Sequence, residues 1–271
     1  MLFIFQITLL LDRFYVGDVS GFLGLLKVLK TDPEFRLRFD FGQHCLELES
    51  MMMAGVVGVG VRLHQGEGGI FVPSPTVRED HVIFRVDSQS LLKAMTALNP
   101  LTYAYLSLRP DEDSAICIDI YDGVGQCMGS AVVNTLTLDD SDREFLVTNH
   151  HEPLSYAIKL KSTGRAWGTY LQAATTDTVI RYDSQMHVVH WETSNVHTRV
   201  SLHLGVSPQE SPDVSVCLCP GVVSVLRTIL QVVQKHPTTF SIHEDLPVCV
   251  TAVLDRQGSF LRVYAGTNDD E

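Results

Sequence analysis

One arrangement, a strand, a helix and three further strands, recurs four times along this chain of 271 residues. It limits the available folds more than any single motif does. In the first half, residues 3–12 read as a strand, 18–31 as a helix with Asp18 at its N-cap, and 34–40, 43–49 and 53–64 as three strands. The order returns with a strand at 81–86, a helix at 88–98 introduced by Asp87-Ser88 and stopped by Asn99-Pro100, and strands at 102–109, 115–121 and 126–137. Residues 138–153 (LDDSDREFLVTNHHEP) are acidic, lack periodicity and end on proline, so they read as a linker. The second half repeats the plan, with a strand at 154–160, a helix at 161–175 and strands at 178–182, 187–192 and 197–204. It closes with a strand at 214–219, a helix at 221–236 and strands at 238–243, 248–254 and 259–264. Hardly any sequence identity accompanies the repeat. Two helices per half and many antiparallel hairpins predict an α+β fold in which one domain type is used twice, over 1–137 and 154–271.

The helices have unlike faces. In Leu160–Thr175, Trp167, Tyr170, Leu171 and Ala174 fall at i, i+3, i+4 and i+7, an apolar stripe that buries against a sheet. Lys161, Arg165, Gly168 and Gln172 lie opposite. Gly164 and Gly168 each cost about 1 kcal/mol in a helix interior relative to alanine, so this is intrinsically the weakest of the four. The four helical windows (18–31, 88–99, 160–175 and 221–236) hold seven basic residues, Lys27, Lys30, Lys93, Lys161, Arg165, Arg227 and Lys235, and one acid, Asp18. The remaining sequence holds 13 basic and 31 acidic residues, within a net charge of -12. Such an average opposes nucleic-acid binding, but the segregation reverses that inference for the helices. Lys and Arg among Gln, Ser and Thr suit phosphate contact that does not read bases. Ordinary solvated helix faces fit the same composition.

Other chemistry finds little support. His187 and His190, three apart on a strand, face opposite sides and cannot share a metal. His150-His151-Glu152 lies in the linker without a second cluster, and Gly55, Gly58 and Gly60 do not open a helix as a dinucleotide loop does. No catalytic residue, cofactor or metal is expected, and the chain reads as a non-enzyme. The six cysteines are scattered and read as buried apolar residues in a reducing compartment. The apolar start, MLFIFQITLLL, lacks a basic leader and is too short to span a bilayer, for which about 18 residues are needed, so it reads as a buried strand.

Taken together, the fourfold strand-helix-three-strand plan and the acidic linker resemble the eukaryotic sliding DNA clamps, the proliferating cell nuclear antigen and its checkpoint relatives. Two segments sharpen the likeness. The ending GSFLRVYAGTNDDE (Gly258–Glu271) looks like the clamp's last strand and acidic tail. The run DHVIFRVDSQSLLKAMTAL (Asp80–Leu98) looks like the strand and second helix of domain one in the checkpoint subunits, above all the Rad-one subunit of the nine-one-one clamp. Where the replication clamp carries a Met-Asp-Ser-Ser-His type segment, this chain has Glu49-Ser50-Met51-Met52-Met53-Ala54, and its helices carry fewer lysines.

The resemblance implies a heterotrimeric ring in the nucleus with a Rad-nine-like and a Hus-one-like subunit, loaded by a clamp loader around double-stranded DNA. A replicative homo-oligomer is the alternative. Lys27, Lys30, Lys93, Lys161, Arg165, Arg227 and Lys235 would then face DNA. The strands at 126–137 and 197–204 would pair across subunits. Partner peptides would dock beside the linker at Leu136, Leu138, Phe145 and Leu146, although for any one of them simple anchoring of the linker to the sheets is the readier explanation.

Overall fold

The computed structural model describes residues 14–30, 32–66, 71–72, 81–97, 105–111, 114–122, 124–140, 145–149, 158–172, 174, 176–194, 199–205, 212–243 and 245–266. The strand expected at 3–12, the His150-His151-Glu152 run and the acidic tail after Gly266 lie outside these residues. The chain forms two compact units, Met1–Leu48 with Arg62–Glu144 and Asp255–Gly258, and Glu49–Val61 with Phe145–Leu254 and Ser259–Glu271.

The first unit contains β1 (Phe14–Val16), α1 (Val19–Leu29), β2 (Glu34–Asp40), the open end of a hairpin formed by β3 (Cys45–Met52) and β4 (Val57–His64), β5 (Phe71–Val72), β6 (His81–Asp87), α2 (Ser88–Ala97), β7 (Tyr105–Asp111), β8 (Ala115–Tyr121) and β9 (Cys127–Asn134). One antiparallel sheet has the order β5-β1-β7-β8-β9, which leaves β9 as an edge. In the other, β2 pairs with β6 from Glu34↔Asp87 to Asp40↔His81. The alternation of EFRLRFD buries Phe35, Leu37 and Phe39 and leaves the charged residues half-buried on the other face. Helix α1 starts where expected, because Asp18 Oδ1 accepts from Gly21 N–H at 2.9 Å. It buries Phe22, Leu25, Leu26 and Leu29.

β3 departs from its sequence pattern. QHCLELE alternates like a half-solvated strand, yet Cys45–Ser50 are all buried. In the first unit Glu47, with no exposed surface, lies between the guanidinium groups of Arg38 and Arg62, and Arg62 Nε donates to its Oε1 at 2.6 Å. A buried carboxylate is tolerated because both neighbours are cations, and Arg62 also hydrogen-bonds it. Burial, reinforced by Glu47, pushes the Cys45 thiol up to about 12, so it is an inert core thiol. The expected third strand at 53–64 begins later, at Val57, since Met53, Ala54 and Gly55 have φ of 53°, 54° and 94° and reverse the chain. Periodicity in a run of methionines carries no sign of such a turn.

The second unit adds α3 (Leu146–Asn149), β10 (Ile158–Thr163), α4 (Gly164–Gln172), β11 (Thr178–Asp183), β12 (Val188–Ser194), β13 (Arg199–Gly205), β14 (Val214–Leu218), α5 (Pro220–Val232), β15 (Pro237–His243), β16 (Leu246–Val253) and β17 (Phe260–Ala265). One sheet has the order β13-β12-β11-β14, with β13 at its edge. The other runs β10-β15-β16-β17 and continues into this unit's segments of β4 and β3. Its aromatic core centres on Trp167 of α4, stacked on Trp191 at 5.8 Å and packed on Phe240 at 4.7 Å between ring centroids. The buried Trp167 Nε1 donates to Thr238 O at 3.3 Å.

The helix expected at 161–175 is shorter at both ends. Residues 161–163 continue β10, pairing Lys161↔Thr239 and Thr163↔Pro237, and the helix opens at Gly164. There Gly164 N–H donates to His236 O at 3.3 Å and Arg165 N–H to Gln234 O at 3.0 Å, so the start of α4 abuts the chain leaving α5. A Cβ at Gly164 would overlap the Val233 carbonyl. At Gly168 it would meet only Leu230 Cβ, at 3.9 Å. Gly164→Ala is therefore expected to destabilise the chain by about 1–3 kcal/mol, as overpacking does. Gly168→Ala is expected to stabilise it by up to about 1 kcal/mol. The two urea-unfolding midpoints should move in opposite directions.

Candidate nucleic-acid interface

Within their structural bounds, α1, α2, α4 and α5 carry Lys27, Lys93, Arg165 and Arg227 and no acid, which leaves 16 basic and 32 acidic residues for the rest of the chain. Lys27 is exposed in the last turn of α1, Lys93 is exposed on α2 and Arg165 is exposed in the first turn of α4. Arg227 is half-buried on α5, one turn from the buried Val223 and Leu230. Lys30 is the exposed C-cap of α1, and Lys235 is exposed in the turn after α5. The Arg165 N–H bond to Gln234 O sets Arg165 beside the Gln234–Lys235 backbone, so two predicted cations share one corner of the second unit.

Asp18 and Asp87 cap the starts of α1 and α2. Asp87 Oδ1 accepts from Ser90 N–H at 2.7 Å ahead of α2. Hydrogen bonds from Ser90 hold the Asp87 carboxyl below its ordinary range, with a lesser contribution from the charge of Lys93. A carboxylate committed to a helix start complements the positive end of the helix and leaves the outer face cationic.

Lys161 does not belong to this set. Its register partner is Thr239, whereas the buried Leu160 pairs with Phe240, on which Trp167 of α4 packs. Alternation along β10 therefore turns Lys161 to the sheet face away from the helix. Helical periodicity misplaced it because Ile158, Leu160 and Lys161 satisfy a strand pattern equally well, and pairing with β15 decides between them.

The linker candidates separate into two kinds. In the first unit Leu136 N–H donates to Arg85 O at 2.8 Å, extending the edge of β6 by one bridge. Arg85 in turn donates to Glu34 Oε2 at 2.6 Å and to Asp139 Oδ2 at 3.2 Å. Leu136 and Leu138 are 38% and 39% exposed on this pinned backbone. Phe145, by contrast, is 1% exposed in the second unit, where it anchors the chain and offers no surface to a partner. Leu146 begins α3, and its side chain lies outside the described residues.

Sequence reasoning missed what α3 rests on. The buried Glu49 Oε2 accepts from Val147 N–H at 2.8 Å and Thr148 N–H at 3.3 Å. Side-chain carbons of Val147 and Thr148 fill the space where Cβ atoms would stand on Gly58 and Gly60 of β4. The spaced glycines of VGVGV are the legible trace of this crossing, since a glycine within a strand marks a close approach. Among the described residues no three His, Cys, Asp or Glu side chains come together in a way that would hold a metal ion, and no helix is long and apolar enough to cross a membrane.

No protein-family model matches the chain, and no curated protein matches it. Solved structures do. The PCNA2–PCNA3 complex of Sulfolobus tokodaii superposes with a TM-score of 0.72 at 14% identity, and PCNA of Thermococcus kodakaraensis with 0.73 at 12%. Each likeness covers 94% of this chain and 99% of the other. The chain has the α+β sliding-clamp fold.

Glu49→Ala is expected to cost about 1–3 kcal/mol, because two buried N–H groups lose their acceptor. Amide exchange at Val147 and Thr148 should accelerate more than exchange in β12, which the substitution does not touch.

Proposed function

We propose that the chain is a non-enzymatic subunit of a ring-shaped clamp that encircles double-stranded DNA. The observation that carries this reading is the charge partition: the four longer helices bear Lys27, Lys93, Arg165 and Arg227 and no acid, in a chain of net charge -12. A cationic helix layer attracts phosphates without reading bases, and an acidic remainder repels DNA from every other surface. Lys30 and Lys235, at helix ends, are secondary contributors. Individually weak contacts are suited to sliding, with retention left to the closed ring.

Closure uses the two edge strands. Among the described residues β9 and β13 each lack a neighbour on one side of their sheets, and pairing β9 of one subunit with β13 of the next is a head-to-tail contact of the kind that generates rings. Met128 and Val132, each 63% exposed on β9, supply apolar surface at that edge. We assign the subunit to a heterotrimeric checkpoint clamp in the nucleus, placed on DNA by a clamp loader beside Rad-nine-like and Hus-one-like partners. This finer assignment rests on the likeness of Asp80–Leu98 and Gly258–Glu271 to checkpoint subunits. Leu136 and Leu138 are the linker residues left to meet a client peptide.

Two measurements test the proposal. Native mass spectrometry after co-expression should find one copy of this chain with two different partners, and a ring of this chain alone would replace the checkpoint reading with the replicative one. Val132→Asp should abolish any ring. Combining Lys27→Ala, Lys93→Ala, Arg165→Ala and Arg227→Ala in the assembled ring should lower the log-log salt slope of DNA association by about 3.6, since each phosphate contact contributes about 0.9. An unchanged slope would overturn the assignment of the helix faces.

A further inference from the structure

His190 and His203 stand directly opposite each other in the β12–β13 ladder. Their ring centroids are 4.7 Å apart and the rings are nearly perpendicular, at 89°. Both project from the sheet face opposite the fully buried Val189 and Trp191, since successive strand residues alternate sides. His203 is exposed and His190 half-buried, so the pair is open to solvent at an edge strand. His187 is excluded: it lies in the turn before β12 with its Nδ1 3.2 Å from the Tyr182 hydroxyl.

We infer that His190 and His203 form an open two-histidine site for a divalent transition ion, Zn(II), Ni(II) or Cu(II). Two imidazoles bound to one such ion at about 2.0–2.1 Å, at right angles to tetrahedral spacing, hold their ring centres about 4.5–5.2 Å apart. The observed separation is within that interval before any ion arrives. The ladder supplies the preorganisation: its pairing is continuous from Val188↔Gly205 to Ser194↔Arg199, so the two Cα atoms are held in register on both sides of the histidines. Imidazole nitrogen is the ligand these ions share, and it does not favour magnesium or calcium. Neighbouring charges partly offset one another. Arg181 of β11 is opposite His190 on the side away from His203, and Glu192 is the next residue of β12 on the same face. Water fills the remaining coordination positions, because no third ligand joins the pair among the described residues. The inference depends on the β12–β13 register and not on the clamp reading.

Titration of Zn(II) and Cu(II) into the full chain, followed by calorimetry and by imidazole NMR, tests it. One ion per chain is expected to shift the His190 and His203 resonances together. His190→Ala and His203→Ala should each weaken binding at least about tenfold, whereas His187→Ala should leave it unchanged. His203→Gln, which keeps side-chain bulk at this exposed position, should lose the same affinity with an unaltered thermal melt. Wild-type affinity in either alanine variant, or metal-induced shifts confined to other histidines, overturns the site.

Discussion

A helix arrives with four backbone N–H groups that its own turns cannot satisfy, and how this chain meets that need fixes much else. At α4 the acceptors are carbonyls of Gln234 and His236 in the chain leaving α5. Contact between the two backbones requires residue 164 to lack a side chain, ends β10 at Thr163 and sets the rotation of α4 about its axis. With that rotation fixed, Trp167 points into the aromatic core and Arg165 points out. The first unit solves the same problem with different atoms: Ser88 N–H donates to Pro33 O at 2.9 Å, and the Ser88 hydroxyl to Asp32 O at 2.7 Å, so α2 begins against the chain leaving α1. Joining the positive end of one helix to the negative end of another is also electrostatically favourable. The cationic faces are thus outward by necessity, since each helix has only one apolar stripe to bury.

Much of the fold was legible because its signals are local. Asp18 announced α1, Asp87-Ser88 announced α2, and the alternation of EFRLRFD and HVIFRVD placed β2 and β6 within a residue of their observed bounds. What was not legible depends on partners distant in sequence. Lys161 changed element because β15 competes for its backbone. Glu47 and Glu49 looked solvated but are buried, one between Arg38 and Arg62, the other under the N–H groups of Val147 and Thr148, a partner 98 residues away. The candidate cations were legible by type and mostly by element, and six of the seven sit on or at the end of a helix. His203 escaped notice because its proximity to His190 is created by register alone, which no spacing within one strand reveals.

The open edge of β9 gives a second meaning to the acidic excess. β9, the last strand of its sheet among the described residues, offers beside Met128 and Val132 a template on which another strand can add, including a strand from an identical chain. A net charge of -12 makes identical chains repel one another over roughly the screening length, about 8 Å at physiological ionic strength. The acidic excess therefore also acts as a colloidal stabiliser for the isolated chain, holding it in solution while that edge is uncovered. Concentrated salt removes that protection, so the isolated chain is most prone to self-association where its electrostatics are most screened.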